Sequence, residues 1–82
     1  MKLYTVTAEI EYVIAVEDDE DEFYVAEDAW RDVRYDGDPA IFVGREIKSL
    51  KQLPEGWDGM CIPYGAGDGN TRLKEMLSED VL

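Results

Sequence analysis

Residues 4–16 read YTVTAEIEYVIAV, and the parsing of this stretch decides the fold. Tyr4, Val6, Ala8, Ile10, Tyr12, Ile14 and Val16 set an apolar side chain at every second position, while Thr5, Thr7, Glu9 and Glu11 fill the opposite face. A two-residue period is the mark of a β-strand, because successive side chains point to opposite sides of the chain. No Gly, Pro or Asn interrupts the run. The alternation therefore predicts one long strand of roughly 45 Å at ~3.3 Å per residue, bent or bulged within the domain. Leu3, Val13 and Ala15 make both ends apolar on both faces, which predicts covered ends and a middle open to water on one side.

Downstream the period changes. Phe23, Ala26, Trp30 and Val33 recur at spacings of three and four, the apolar stripe of a helix over 19–34. Asp18 or Asp19 is placed to cap it, and the acids that follow suit the positive end of its dipole. Glu20, Glu27, Asp28 and Arg31 fall on its outer side. Tyr35-Asp36-Gly37-Asp38-Pro39 supplies the stop. Residues 40–47 form a second strand in which Gly44 marks a bulge or a close contact. Residues 49–69 read as loop with one helical turn at 49–53, yet Trp57, Met60, Ile62 and Tyr64 give this loop enough apolar content to pack down. Asn70 or Thr71 then caps a last helix whose Leu73, Met76 and Leu77 face the core.

The expected fold class is α+β: a small single domain over 1–82, ordered β-α-β-loop-α, with a long N-terminal strand and a helix packed on a thin sheet. A strand, crossover helix and second strand favour a right-handed parallel pair, with antiparallel pairing as the alternative. Two strands leave a long edge open, and pairing with a second copy of the chain, a homodimer, would satisfy it.

The composition narrows function mainly by exclusion. The chain has 82 residues, no His and one Cys, so a His-dependent dyad or triad and an intramolecular disulfide cannot form. Cys61 lies between Met60 and Ile62, the setting of a buried, inert thiol. No catalytic residue, cofactor or dedicated metal site is expected. Asp18 to Glu22 lacks the spaced ligands, Gly and closing Glu of a calcium loop. Gly65-Ala66-Gly67-Asp68-Gly69-Asn70-Thr71 has Asn70 where a phosphate loop needs Lys, and it reads as a turn with a helix cap. Asp36-Gly37-Asp38 and Asp68-Gly69-Asn70 are turn sequences. No apolar stretch approaches the ~20 residues needed to cross a bilayer, and the first residues lack a leader's cationic start and apolar core. A soluble cytoplasmic protein that avoids membranes is expected.

What the composition offers is charge. The net charge is −12, and residues 1–38 carry −10 of it. Eight carboxylates fall within residues 17–28, with no Lys or Arg among them. Glu17, Asp18, Asp19, Glu20, Asp21, Glu22, Glu27, Asp28, Asp32, Asp36 and Asp38 are the candidate partner-binding residues, with Glu9 and Glu11 extending the surface. Charge runs of this kind often serve solubility alone. Without interleaved Lys, however, the acids repel one another and oppose compaction. A surface of this sign repels nucleic acid and attracts basic grooves that normally hold phosphates. Tyr24, Trp30 and Tyr35 are candidate aromatic anchors, Trp30 doubling as core.

A very small, strongly acidic, His-free and Cys-poor domain resembles the small inhibitors encoded by bacteriophages, including DNA-mimic and anti-CRISPR proteins. The stretches Leu53-Pro54-Glu55-Gly56-Trp57-Asp58 and Cys61-Ile62-Pro63-Tyr64-Gly65 also resemble loops of small phage proteins. The resemblance implies a non-enzymatic inhibitor acting in the host cytoplasm on a nucleic-acid-binding enzyme or CRISPR effector. It transfers no functional residue. The alternative is a structural or accessory protein whose acidity serves solubility, with dimerisation or the 57–64 loop as its contact.

Overall fold

The structure is a computed structural model that describes residues 2–33, 37, 39–65 and 71–77. It is an α+β domain, as expected, but residues 4–16 form two strands. β1 (Lys2–Thr7) and β2 (Glu11–Val16) make an antiparallel hairpin in which Lys2 faces Val16 and Thr7 faces Glu11. Ala8, Glu9 and Ile10 close it, the Ala8 N–H donating to the Ile10 carbonyl at 3.0 Å. This corrects the single long strand, and the reason is parity. A three-residue loop in this register pairs even residues with even and odd with odd. Directly opposed residues share a face, so the alternation runs through the turn without a phase slip.

β1 is thus an inner strand. The sheet order is β3-β1-β2-β4, with β3 (Phe42–Ile47) antiparallel to β1 and β4 (Tyr64–Gly65) parallel to β2. The favoured parallel β1–β3 crossover is corrected to the antiparallel alternative, and the long open edge expected of β1 does not exist. Between Tyr4↔Glu46 and Val6↔Val43 the register slips, leaving Gly44 and Arg45 against Thr5. This is the bulge that Gly44 marked; a Cβ there would lie 3.2 Å from the Thr5 carbonyl oxygen.

The even face carries Val6, Tyr12, Ile14 and Val16 and is covered by Val25, Ala26, Ala29 and Trp30 of α1 (Glu22–Val33). The odd face carries Leu3, Val13 and Ala15 with Ile47, and is covered by Leu73 and Leu77 of the second helical segment, α2 (Leu73–Met76) and its C-cap. A 3-10 turn at Leu50–Gln52, close to the turn expected at 49–53, packs Leu50 at the margin of this second cluster. The Leu73 N–H donates to the Cys61 carbonyl at 2.9 Å and that of Lys74 to Gly59 at 2.8 Å, so α2 is tied to the loop before β4. Leu73, Met76 and Leu77 pack as expected, but Arg72 occupies the cap position, its N–H bonded to the Glu75 carboxylate at 3.3 Å. Thr71 is therefore not the cap, and Asn70 lies outside the described residues. Fully burying a Val or Ile contributes about 1.5–3 kcal/mol, and Val6, Val13 and Ile14 are all buried to completion.

The loop after the 3-10 turn packs down only in part. Trp57 touches both clusters, and Tyr64 meets Trp57 (6.2 Å) and Tyr12 (6.0 Å) edge-on, while Tyr12 also packs against a tilted Trp30 at 6.1 Å. Met60 and Ile62, expected inside, are exposed. Gly65 lets β4 approach. Its φ is +99°, and a Cβ would sit 2.7 Å from the Ala15 carbonyl oxygen and 2.8 Å from Val25 Cγ1.

Candidate interaction surface

The acidic run divides into a turn and a helix. After β2, Glu17 to Glu20 form a tight turn in which the Glu20 N–H donates to the Glu17 carbonyl at 3.0 Å. The Glu20 side chain reaches back to accept the Glu17 N–H at 3.1 Å. Asp18, Asp19 and Glu20 are thus spent on the connection, and the helix begins three residues later than expected. Asp21 caps it: its Oδ2 accepts the Tyr24 N–H at 3.1 Å, satisfying one of the first-turn donors. Glu22 follows, half-buried at the positive end of the dipole, and Arg31 stands in the last turn. Glu17, Asp18, Asp19, Glu20 and Asp21 are all exposed.

The buried stripe of α1 is Val25, Ala26, Ala29 and Trp30, rotated from the expected one. Phe23, expected in the core, is 44% exposed and Tyr24 is 65% exposed. The outer face then reads Phe23, Tyr24, Glu27, Asp28, Arg31 and Asp32, all exposed. Glu27, Asp28 and Arg31 are on the outer side, as expected, and Asp32 joins them. Asp36, Asp38 and Tyr35 lie outside the described residues. Trp30 is buried in the core and only edges the hollow beside Tyr24, so of the candidate aromatic anchors described, Tyr24 is the one exposed at the surface.

Glu11 does not extend this surface, which corrects the expectation. It pairs with Thr7 and shares the odd face with Leu3 and Val13, away from α1. Glu9 sits at the hairpin tip, at the opposite end of β2 from Glu17.

Two hollows flank Tyr24. One, of about 270 Å³, lies between α1 and the approach to β3 and is lined by Tyr24, Glu27, Asp28, Trp30 and Arg31 with Gly37, Pro39 and Ile41 beyond. The other, of about 180 Å³, lies between α1 and β4 and is lined by Glu20, Tyr24, Val25, Asp28 and Gly65. Tyr24 and Asp28, one helical turn apart, form the ridge between them. No sequence signal marks the hollows, because their far walls come from Pro39, Ile41 and Gly65, distant along the chain.

Cys61 is half-buried at the margin of the second cluster and not fully enclosed; its Sγ–H donates to Asp58 Oδ1 at 3.7 Å. Among the described residues, no group of three His, Cys, Asp or Glu side chains is placed to hold a metal ion. No helix among them is long and apolar enough to cross a membrane. The glycine-rich run 66–70 falls outside the described residues. Compared with known protein families, curated proteins and solved structures, the chain matches none of them.

Proposed function

We propose that the chain is a non-enzymatic interaction protein of the phage-inhibitor kind, which presents the outer face of α1 to a basic protein surface. The partner is a nucleic-acid-handling enzyme or CRISPR effector in the host cytoplasm, and the acidic face stands in for the nucleic acid it normally holds. The observation that carries this reading is Tyr24, 65% exposed on a ridge between two carboxylate-lined hollows. Solubility is served by carboxylates alone and gains nothing from a large exposed ring among them. A Tyr framed by charge is instead the composition of a binding centre, where the ring supplies contact area and the acids supply steering.

The test is capture from host lysate by the full chain, compared with a Glu27→Lys, Asp28→Lys, Asp32→Lys variant and with Tyr24→Ala. All four side chains are exposed, so circular dichroism should report an unchanged fold. The charge reversal is expected to abolish capture, and Tyr24→Ala to weaken it about tenfold as a central anchor would. Capture by the reversed variant equal to wild type, at low salt, would overturn the reading.

A second reading rests on β3. Among the described residues it is one of the two outer strands of the sheet, and its Phe42 is 66% exposed. An unpaired edge with an exposed ring is a template for a second copy, giving an accessory homodimer whose acidity serves solubility. A solution mass equal to one chain across a hundredfold range of concentration removes it.

A further inference from the structure

The smaller hollow beside Tyr24 is shaped by more than charge. It has a volume of about 180 Å³ between α1 and β4 and is lined by Glu20, Tyr24, Val25, Asp28 and Gly65. We infer that it is a socket for one arginine side chain of the partner, so that the basic surface met by α1 presents Arg, not Lys, at this point. The inference rests on the reading of the α1 face above and narrows it.

Three features select a guanidinium. The first is the order of groups along the wall. Tyr24 and Asp28 stand one helical turn apart on the same side of α1. Glu20 precedes them in the turn, its side chain held back by the Glu17 N–H at 3.1 Å. An exposed ring thus has one carboxylate before it and one after it along the wall. A guanidinium is flat: it stacks on such a ring and donates in its own plane to carboxylates at the edge. An ammonium is a compact, strongly hydrated point charge and does neither in one pose. The second feature is the floor. Val25 is buried, and Gly65 approaches it so closely that a Cβ would lie 2.8 Å from Val25 Cγ1. The hollow is therefore closed below by apolar groups, which suits the more weakly hydrated guanidinium. Size is the third. Pockets for drug-sized ligands begin at roughly 300 Å³, so about 180 Å³ takes the end of a side chain and not a free small molecule. The larger hollow is not equivalent, because Arg31 in its lining offsets one of its two acids. The smaller has two carboxylates and no cation.

Two capped peptides of equal length and charge, one with three arginines and one with three lysines spaced by glycine, test the socket on the isotopically labelled full chain. Charge alone predicts equal affinity. The socket predicts that the arginine peptide binds about fivefold more tightly at the same ionic strength. Its largest shifts are expected at the amides of Tyr24, Val25, Asp28 and Gly65. Tyr24→Leu should remove the preference and leave binding of the lysine peptide as it was, while Tyr24→Phe, which keeps a ring face, should retain it. Asp28→Asn and Asp32→Asn remove the same charge, but only Asp28 lines the hollow; the first should reduce the preference and the second should not. A preference that survives Tyr24→Leu, or no binding by either peptide, overturns the socket. Equal, salt-sensitive binding of both peptides overturns it too while leaving the electrostatic reading of α1 intact, since that reading falls on a separate measurement, capture by the charge-reversed chain.

Discussion

The Tyr12 hydroxyl donates to the Ala26 carbonyl at 2.8 Å in a core where the residue is 1% exposed. Burial pushes its pKa up to about 12, because the phenolate would lose its water. In the unfolded chain the group ionises near its ordinary value of about 10. Below that pH both states hold the proton and the contribution is complete. Above it the unfolded state releases its proton first, so stability falls by at most about 1.4 kcal/mol per pH unit until the folded pKa is passed. Urea unfolding at pH 8, 10 and 11 should show this fall, and Tyr12→Phe should flatten it. The same variant should cost about 1 kcal/mol at neutral pH for the lost hydrogen bond. An unchanged slope above pH 10 would remove Tyr12 as the cause. Gly65 makes a second residue-scale case. Its Ala variant meets the Ala15 carbonyl and Val25 at under 3 Å and must also adopt a positive φ, so about 3 kcal/mol should be lost. Gly56 has φ +90° with nothing within 4 Å of a Cβ, and Gly56→Ala should lose only the backbone share, about 1 kcal/mol. Thermal melts of the two variants separate crowding from strain.

Capping carries the same reasoning up to the element. Asp21 accepts the Tyr24 N–H at the head of α1, so Asp21→Ala should cost about 1 kcal/mol, while Asp21→Asn, an equally good cap, should cost little. Capping by Asp18 or Asp19 would leave Asp21→Ala silent in a melt. The acids alone do not distinguish these starts, because any of the three can cap; the tight turn at Glu17–Glu20 settles the choice by using up the first two. Similar degeneracies account for the rest of what the sequence conceals. Residues 4–16 show which side chains share a face, and the two core clusters follow that division, even against odd. They conceal the turn, since an odd-length loop in matched register leaves the alternation intact. The helical stripe 23–26–30–33 and the buried set 25, 26, 29 and 30 share Ala26 and Trp30 and differ by a rotation. That rotation is set by Tyr12 and Val6 beneath, which no local window contains. β4 is two residues long and depends on Gly65 for its approach to β2, so its existence is a tertiary fact. The acidic character of α1 was legible at once. The exposure of Phe23 and the hollows beside Tyr24 were not.

For the whole molecule the governing quantity is self-repulsion, with −10 of the −12 charges in residues 1–38. A sheet flanked on both faces holds the described acids of this stretch close together, and their mutual repulsion is lower in the expanded chain, which favours unfolding. Salt screens it. Raising ionic strength from about 0.01 M to about 1 M shortens the Debye length from about 30 Å to about 3 Å. Stability should then rise by about 1 kcal/mol, or about 5 °C for a domain of this size. The Glu27→Lys, Asp28→Lys, Asp32→Lys variant lowers the net charge to −6, since each reversal removes two negative charges from −12. It should melt higher than wild type at low salt and respond less to added salt. The direction of this change discriminates between the uses of the acidic face. A surface kept for a partner is maintained against stability, so reversal should stabilise the fold and abolish capture together. A surface kept for solubility should instead, on reversal, lose solubility near neutral pH and leave capture as it was. Differential scanning calorimetry at the two salt concentrations, with capture measured on the same preparations, reads both outcomes. A reversed variant that is less stable than wild type at low salt would show that these carboxylates support the fold locally, and the electrostatic account of the helix face would fall with it.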